Sequence, residues 1–463
     1  MIGFILTYAI AALASLAALK RPLIGLYAYV GFAVLRPQYI FRFAGDMSNL
    51  SLLLGVALIA GWAINGFGTW EPGRSKGVVY ALLAYTACYI ASASLAEFPD
   101  ASFRAVVELL KIVVPFCVGL TMIKDERQWK PLLWVIVLSQ GYVGFEQNLS
   151  YIRGYNAAAE GFGGMDNNCF GVSLVTVVGV AVALVMTSRR WYERVAAVSA
   201  AALILHTILL TFSRGAMVGM VIVGVTAFVL LPKRPKYLAV MLAVALVAAK
   251  LTGPQLLARY STVVSSDEQR DGSAQSRLDL WKDALKVIEA QPFLGVGPAN
   301  WRLISSRFGW SEGKSAHSVW METAAEVGVP GTLALLLFFV LVLFKLWPVA
   351  RQQLTEENRQ QVGAAMGVML GSVGFVVSGQ FVSVVGLEVP YYVVLVGVVL
   401  LRQLSTTAMP VAKLAAVPSE VQASISNGLA VTVPRVARPT RGLDPRRPRL
   451  LPDLGGLPRR SVR

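Results

Sequence analysis

The sequence predicts an all-α, polytopic integral membrane protein, and three observations carry that expectation. Of the 463 residues, 56% are hydrophobic and only 15% charged, whereas about a quarter of the residues in a soluble domain are charged. Apolar runs of 18–20 residues recur along the chain, and roughly 20 such residues cross the ~30 Å hydrocarbon core of a bilayer. The basic residues of the short connections also gather in alternate connections, as they do in multi-pass proteins.

In chain order the predicted spans are 2–19, 22–40, 50–67, 77–95, 105–123, 131–150, 169–187, 195–212, 215–231, 236–251, 328–347, 362–385 and 387–402. The count is thirteen, or twelve if either the short run 236–251 or the run interrupted by Arg36 and Pro37 fails to cross. The first run has neither a basic leader nor a small-residue cleavage site, so it is read as a span and not a signal peptide. One set of alternate loops holds 16 basic residues: Lys20/Arg21, Arg74/Lys76, Lys124/Arg127/Lys130, Arg189/Arg190/Arg194, Lys233/Arg234/Lys236 and Lys345/Arg351/Arg359. The opposite short loops hold only Arg36, Arg42, Arg104, Arg153 and Arg214. The richer side is the expected cytoplasmic side. Residues 252–327 then lie outside the cell's inner membrane, between N-terminal helices 1–251 and C-terminal helices 328–402.

This asymmetry accounts for the net charge of +16, so no nucleic-acid partner is expected. Cys88, Cys117 and Cys169 fall in or beside apolar runs without CxxC spacing, the pattern of buried thiols. Residues 403–463 carry eight prolines, ten Lys/Arg and three acids with no apolar periodicity. Such a composition predicts a disordered basic tail, placed by topology in the cytoplasm.

Ionisable groups within membrane spans are expensive and usually mark an interior site. Glu108, Lys111, Glu146, Arg214 and Glu388 all fall toward the outer end of their spans, and Asp166-Asn167-Asn168 open one from the same side. Glu108 and Lys111, three apart on one helical face, either neutralise each other or serve the site. His206 lies eight residues before Arg214 and is expected to pack between helices by a hydrogen bond. The rest point to a site at the outer membrane surface, roofed by 252–327.

Within that loop, Ser276-Arg277-Leu278-Asp279 has the form of a helix N-terminal capping box. Leu278, Trp281, Leu285 and Ile288 follow at near-helical spacing until Pro292 stops the helix. Arg277 would therefore sit in a first turn, where free amides favour anions. A second helix is predicted from Ser315–Ser318 to Gly328, with His317 at its start. Glu322, five residues on, would point away from His317 on that helix. Gly295-Val296-Gly297 follows no strand of a βαβ unit, which excludes a dinucleotide fingerprint. The acidic run 267–271 lacks calcium-loop spacing, and neither DxD nor HExxH occurs. Phosphate chemistry here would rest on arginine, whose planar fork makes bidentate, charge-assisted bonds.

These residues resemble a known family. Thr211-Phe212-Ser213-Arg214-Gly215-Ala216 is similar to the Ser-Arg-Gly motif of the bacterial O-antigen ligase and polymerase superfamily. Ser276-Arg277…Trp281…Pro292…Gly295-Val296-Gly297 and His317-Ser318…Glu322…Glu326-Val327-Gly328…Gly331 are similar to its periplasmic-loop motifs. Gly163-Gly164-Met165-Asp166-Asn167-Asn168 resembles more specifically the exosortase-associated O-glycosylation ligases. Ser318 departs from the pattern, since Asn often follows the histidine in this superfamily.

The resemblance implies a fold related to the lipid-linked-sugar transferases and a metal-independent glycosyltransferase of the bacterial inner membrane, with no cofactor. The donor would be an undecaprenyl-pyrophosphate glycan; the acceptor would be a hydroxyl on a lipid, polysaccharide or protein. It further implies that His317 is the general base or positions the acceptor and that Arg214 and Arg277 hold the pyrophosphate; beside these, the polar residues Asp166, Asn167, Glu108, Lys111 and Glu322 are candidate supporting groups. A polysaccharide polymerase of the same superfamily is the alternative within this chemistry. A transporter would instead carry midplane charges and internal repeats, neither of which the sequence shows, and a ligand sensor would need a foldable tail.

The topology makes a direct prediction. In a background lacking the three native cysteines, Arg270→Cys should react in intact cells with a membrane-impermeant thiol reagent. Reaction only after lysis would turn the polar loop to the other side.

Overall fold

The computed structural model describes residues 2–41, 49–231, 272–384 and 386–415, with isolated positions between 233 and 250. The described residues are organised by helices, and extended pairing among them is limited to an isolated bridge between Phe162 and Met165. In order, the longer helices are α1 (Ile2–Lys20), α2 (Pro22–Leu35), α3 (Leu50–Ile64), α4 (Lys76–Ser94), α5 (Pro99–Met122) and α6 (Glu126–Ile152). They continue with α7 (Asn167–Thr187), α8 (Trp191–Leu210), α9 (Arg214–Leu230), α10 (Gly272–Ala290), α11 (Val319–Ala350), α12 (Arg359–Ser378) and α13 (Glu388–Ala415). Among the described residues, eight helical stretches are long and apolar enough to cross a membrane, and α3 and α9 are shorter apolar helices.

The span expected over 22–40 is broken. Arg36 takes a left-handed backbone (φ 47°), ends α2, and starts a single turn over Pro37–Ile40. The proline supplies the physical reason, because the residue before it is pushed out of the helical region. Most of the expected span 236–251, the acidic run 267–271 and most of the tail lie outside the described residues. The tail boundary expected at 403 falls inside α13, which runs on to Ala415. Residues 1–409 form one compact unit, and 410–463 are grouped separately.

Within the first unit the connections sort to two ends. At one end Arg402 donates to the carbonyls of Leu120 and Ile123, Ser405 accepts from the Arg74 amide at 2.8 Å, and Arg359 reaches the Met186 carbonyl. At the other end lie Phe41, the α4–α5 corner at residues 95–98, residues 153–166, 211–213 and 379–387, and the stretch between α10 and α11. The centre is α7, α12 and α13, apolar nearly all round and buried. Glycines let α12 approach α7: a Cβ at Gly371 would lie 2.5 Å from the Thr176 carbonyl oxygen, the close approach that small residues allow between membrane helices.

The stretch between α10 and α11 is bolted to the bundle by backbone. Val296 N and Gly297 N donate to the carbonyls of Ala325 and Glu326 at 3.0 and 2.9 Å, and Val329 N donates to Pro292 at 2.8 Å. Those carbonyls are available because α11 breaks at Gly328 (φ 82°, ψ 172°), two residues before Pro330. Asn300, fully buried, accepts from the Phe98 amide at 2.8 Å and donates to Ser102 Oγ at 2.6 Å. The glycine pair at 295 and 297 is thus a packing device against the kink.

Gly328 has no room for a side chain: a Cβ would stand 2.2 Å from the Phe293 carbonyl oxygen, at a backbone angle L-residues avoid. Gly328→Ala should therefore lower stability by about 1–3 kcal/mol or more. It should also expose residues 290–300 to limited proteolysis, with the membrane helices still protected. Wild-type digestion kinetics would show that the buckle tolerates a Cβ.

Candidate functional site

The first turns of three helices adjoin at the end that carries the α10–α11 stretch. Asp166 caps α7, its carboxylate accepting from Cys169 N at 2.7 Å. Ser213 caps α9, its hydroxyl accepting from Ala216 N at 3.3 Å and donating to Asn168 Oδ1 at 2.9 Å. Asn167 donates to the Thr211 carbonyl at 2.9 Å, and Phe212 closes that turn with φ 51°. Ser318 caps α11, accepting from Met321 N at 3.3 Å. This cap gives Ser318, where Asn is common in the resembled superfamily, a definite task, since Ser and Asn are both strong N-caps. Ser383 joins the first and third of these helices: its carbonyl accepts from Cys169 Sγ at 3.7 Å and its hydroxyl donates to Glu322. Free amides at helix starts carry partial positive charge, so the region is biased toward anions before any side chain is counted.

His317 immediately precedes the Ser318 cap, in a left-handed conformation (φ 51°) that a non-glycine residue adopts only when its surroundings impose it. The imposing element is the peptide before it. Ala316, fully buried, donates its N–H to Glu322 Oε2 at 2.8 Å and accepts at its carbonyl from Trp281 Nε1 at 2.9 Å. Both backbone polar groups of Ala316 are thereby held, the N–H by α11 and the carbonyl by α10. Glu322 thus bonds the backbone of the residue immediately before His317.

Burial is the largest influence on His317 and pushes its pKa down to about 4. The positive charges of Arg277 and Lys314, and more weakly Arg302, act in the same direction, while Asp166 opposes them. The imidazole is neutral at physiological pH and set among cations. This differs from the unshifted value near ~6.5 of a free histidine.

The expected placement of Arg277 needs correction. α10 begins at Gly272, so Arg277 lies beyond the first turn, and Asp279 takes hydrogen bonds from Lys282 at 2.9 Å and from Gln275. Leu280, Ala284 and Val287 form the buried stripe, with Leu278 and Leu285 exposed. A helix that starts one turn earlier leaves Ser276 with no capping work. Arg277 nevertheless comes within electrostatic reach of His317. Arg214 is the first residue of α9, directly after the Ser213 cap.

Glu108 and Lys111 pair with each other at 2.6 Å on the exposed face of α5, and Tyr29 donates to the Lys111 carbonyl at 2.9 Å. That pair lies toward Glu388, which Arg36 engages at 3.2 Å while also donating to the Gly163 carbonyl. His206 hydrogen-bonds Asn148 and packs on Tyr151, the helix-packing role expected of it. Sequence reasoning missed Arg302, whose Nε lies 3.5 Å from Glu322 Oε1, and Ser383. No local motif marks either residue; only the fold brings them to Glu322. Among the described residues no three His, Cys, Asp or Glu side chains gather to hold a metal ion.

Fold and site define a multi-pass α-helical membrane protein with a cation-rich polar site at one end of its bundle. Residues 199–336, from α8 through the kink of α11, match the family model described as O-antigen ligase. That stretch contains Arg214, Arg277, Arg302, His317 and Glu322, and the match supports glycosyl transfer in general terms. Residues 1–194 match a second model, described as a family of unknown function. No curated protein matches the chain.

The depressed basicity of His317 has two measurable consequences. In His206→Gln protein, acylation of the remaining histidine by diethyl pyrocarbonate should persist well below pH 6.5, because the reactive neutral form survives to about pH 4. Stability should also fall between pH 6.5 and about 4, since the unfolded chain takes up the proton first. A modification midpoint at the free-histidine value would mean that neither burial nor the surrounding cations act on the ring.

Proposed function

We propose that the protein transfers a glycan from undecaprenyl pyrophosphate to an acceptor hydroxyl, on the periplasmic face of a bacterial inner membrane. The observation that carries this reading is the neutral His317, preceded by the anchored Ala316 and within electrostatic reach of Arg277, Lys314 and Arg302 beside three helix starts. A neutral imidazole takes a proton, and the cations suit a diphosphate. The O-antigen ligase match over the same residues favours this pairing over transport.

In the proposed reaction the acceptor oxygen attacks the anomeric carbon and its proton passes to His317. The bond from that carbon to the phosphate oxygen breaks, and undecaprenyl pyrophosphate departs with the electron pair. Arg214 and Arg277 stabilise the charge that grows on the leaving group. The bound diphosphate also offsets the cations that weaken His317 as a base, so the imidazole gains basicity when the donor is in place. Asp166 and Asn167 act by building the α7 start against the Thr211–Ser213 turn. Glu108 and Lys111 have no part in this scheme. The likeness of Gly163–Asn168 to exosortase-associated O-glycosylation ligases favours a ligase over a polymerase, with a lipid, polysaccharide or protein acceptor.

The test is purified protein with a lipid-linked donor, following acceptor glycosylation and donor binding separately. His317→Ala should lower turnover by ~10²–10⁴-fold, the usual contribution of a general base, with donor binding nearly unchanged. Arg214→Lys and Arg277→Lys keep the charge but lose the fork, and should weaken donor binding, turnover or both. Activity should survive EDTA. Near-wild-type turnover in His317→Ala removes the base assignment. In a deletion strain, carrier-linked glycan of normal length that is never attached identifies a ligase, whereas accumulated single repeats identify a polymerase.

A further inference from the structure

We infer that Arg302 is a third cationic contact for the donor's diphosphate, aimed by the Glu322 carboxylate; this deepens the glycosyl-transfer reading and rests on it. Arg302 belongs to a single helical turn, Trp301–Ile304, whose place is fixed independently of its own side chain. Trp301 is fully buried and its amide donates to Glu326 Oε1 at 3.1 Å, while Asn300 ties the same turn to the α4–α5 corner. From this anchored turn the Arg302 side chain remains half exposed, at 49%. Its Nε approaches Glu322 Oε1 at 3.5 Å, and the guanidinium makes no other ion pair or hydrogen bond among the described residues.

Glu322 is buried, and its second oxygen is already committed to the Ala316 amide and the Ser383 hydroxyl. The carboxylate therefore holds two things at once: the peptide that sets His317 and the inner edge of Arg302. A guanidinium docked by one edge presents its remaining donors in a plane, the geometry that suits a diphosphate oxygen pair. Arg302 also contributes to the positive field at His317, so its charge lies within electrostatic reach of that ring. The plainer account is that Arg302 only neutralises a buried carboxylate. A neutralising partner gains most when it is buried with the charge and well bonded to it. Arg302 is half exposed with one long contact.

The experiment measures binding of geranylgeranyl diphosphate to the purified full-length protein, alongside glycosyl transfer. It compares wild type, Arg302→Gln, Glu322→Gln and the double variant. Arg302→Gln should weaken binding by about 10–100-fold, the loss of one or two charge-assisted hydrogen bonds. Glu322→Gln should weaken it less, and the double variant should bind as poorly as Arg302→Gln. If the double variant regains wild-type affinity, Arg302 serves only to neutralise Glu322 and the inference is overturned. Unchanged binding in Arg302→Gln, with wild type binding and turning over, overturns it while leaving the glycosyl-transfer reading intact. A wild type that neither binds the diphosphate nor transfers glycan removes that reading instead, and this inference with it. Phosphatidylglycerol vesicles supply the remaining arm: displacement of the probe from wild type but not from Arg302→Gln would mean that Arg302 reads a lipid headgroup, against the inference.

Discussion

The organisation of the polar end depends on one buried carboxylate. Glu322 sits in the first turn of α11 and receives the Ala316 amide, the Ser383 hydroxyl and the Arg302 guanidinium. A buried carboxylate is tolerated when its oxygens find donors, and here each donor is delivered by its own piece of chain. Ala316 comes from the segment before α11, Ser383 from the α12–α13 connection, and Arg302 from the turn after α10. Satisfying one side chain thus forces three segments into register. Ser383 extends the requirement to α7 through its carbonyl contact with Cys169.

Much of the scaffold was legible in the sequence because its signals are local. Apolar length marks the long helices, and Pro37 marks the interruption at Arg36. The break at Gly328 follows from a glycine two residues before a proline, and the Ser318 cap falls at the end of the window 315–318 in which the helix is expected to start. Where the signal depended on a choice among caps, it misled: Ser276 resembles a cap, but α10 starts at Gly272 and turns Leu280, Ala284 and Val287 inward. The Glu322 contacts were not legible. They join residues 6, 20 and 61 positions away, and nothing at Arg302 or Ser383 sets them apart from surface residues. The expectation for Glu322 weighed only its direction from the imidazole on an ideal helix. It left out the backbone of residue 316.

The site also illustrates how position replaces intrinsic reactivity. Histidine is ordinarily the base tuned closest to neutral pH, yet burial and three cations make His317 a weak base. On the proposed reading this is a form of ordering. The cations that suppress the ring are the groups an anionic donor would engage, so base strength and donor occupancy rise together. Such coupling disfavours loss of the donor's glycan to stray chemistry before the full complex forms, and it needs no moving part.

The break at Gly328 divides α11 into a short piece, Val319–Val327, and a long apolar shaft that begins at Val329. Helical rise fixes the short piece at about 14 Å, and the backbone bonds of 292–297 hold it against the kink. His317 is therefore carried on a spacer of set length, footed where the lipid-facing shaft begins. On the proposed reading, a substrate tethered in the bilayer would be gauged by that spacer. Its reacting carbon would have to stand at one height above its own anchor, so a change in the stem between lipid and first sugar would be felt as sharply as a change in the sugar itself.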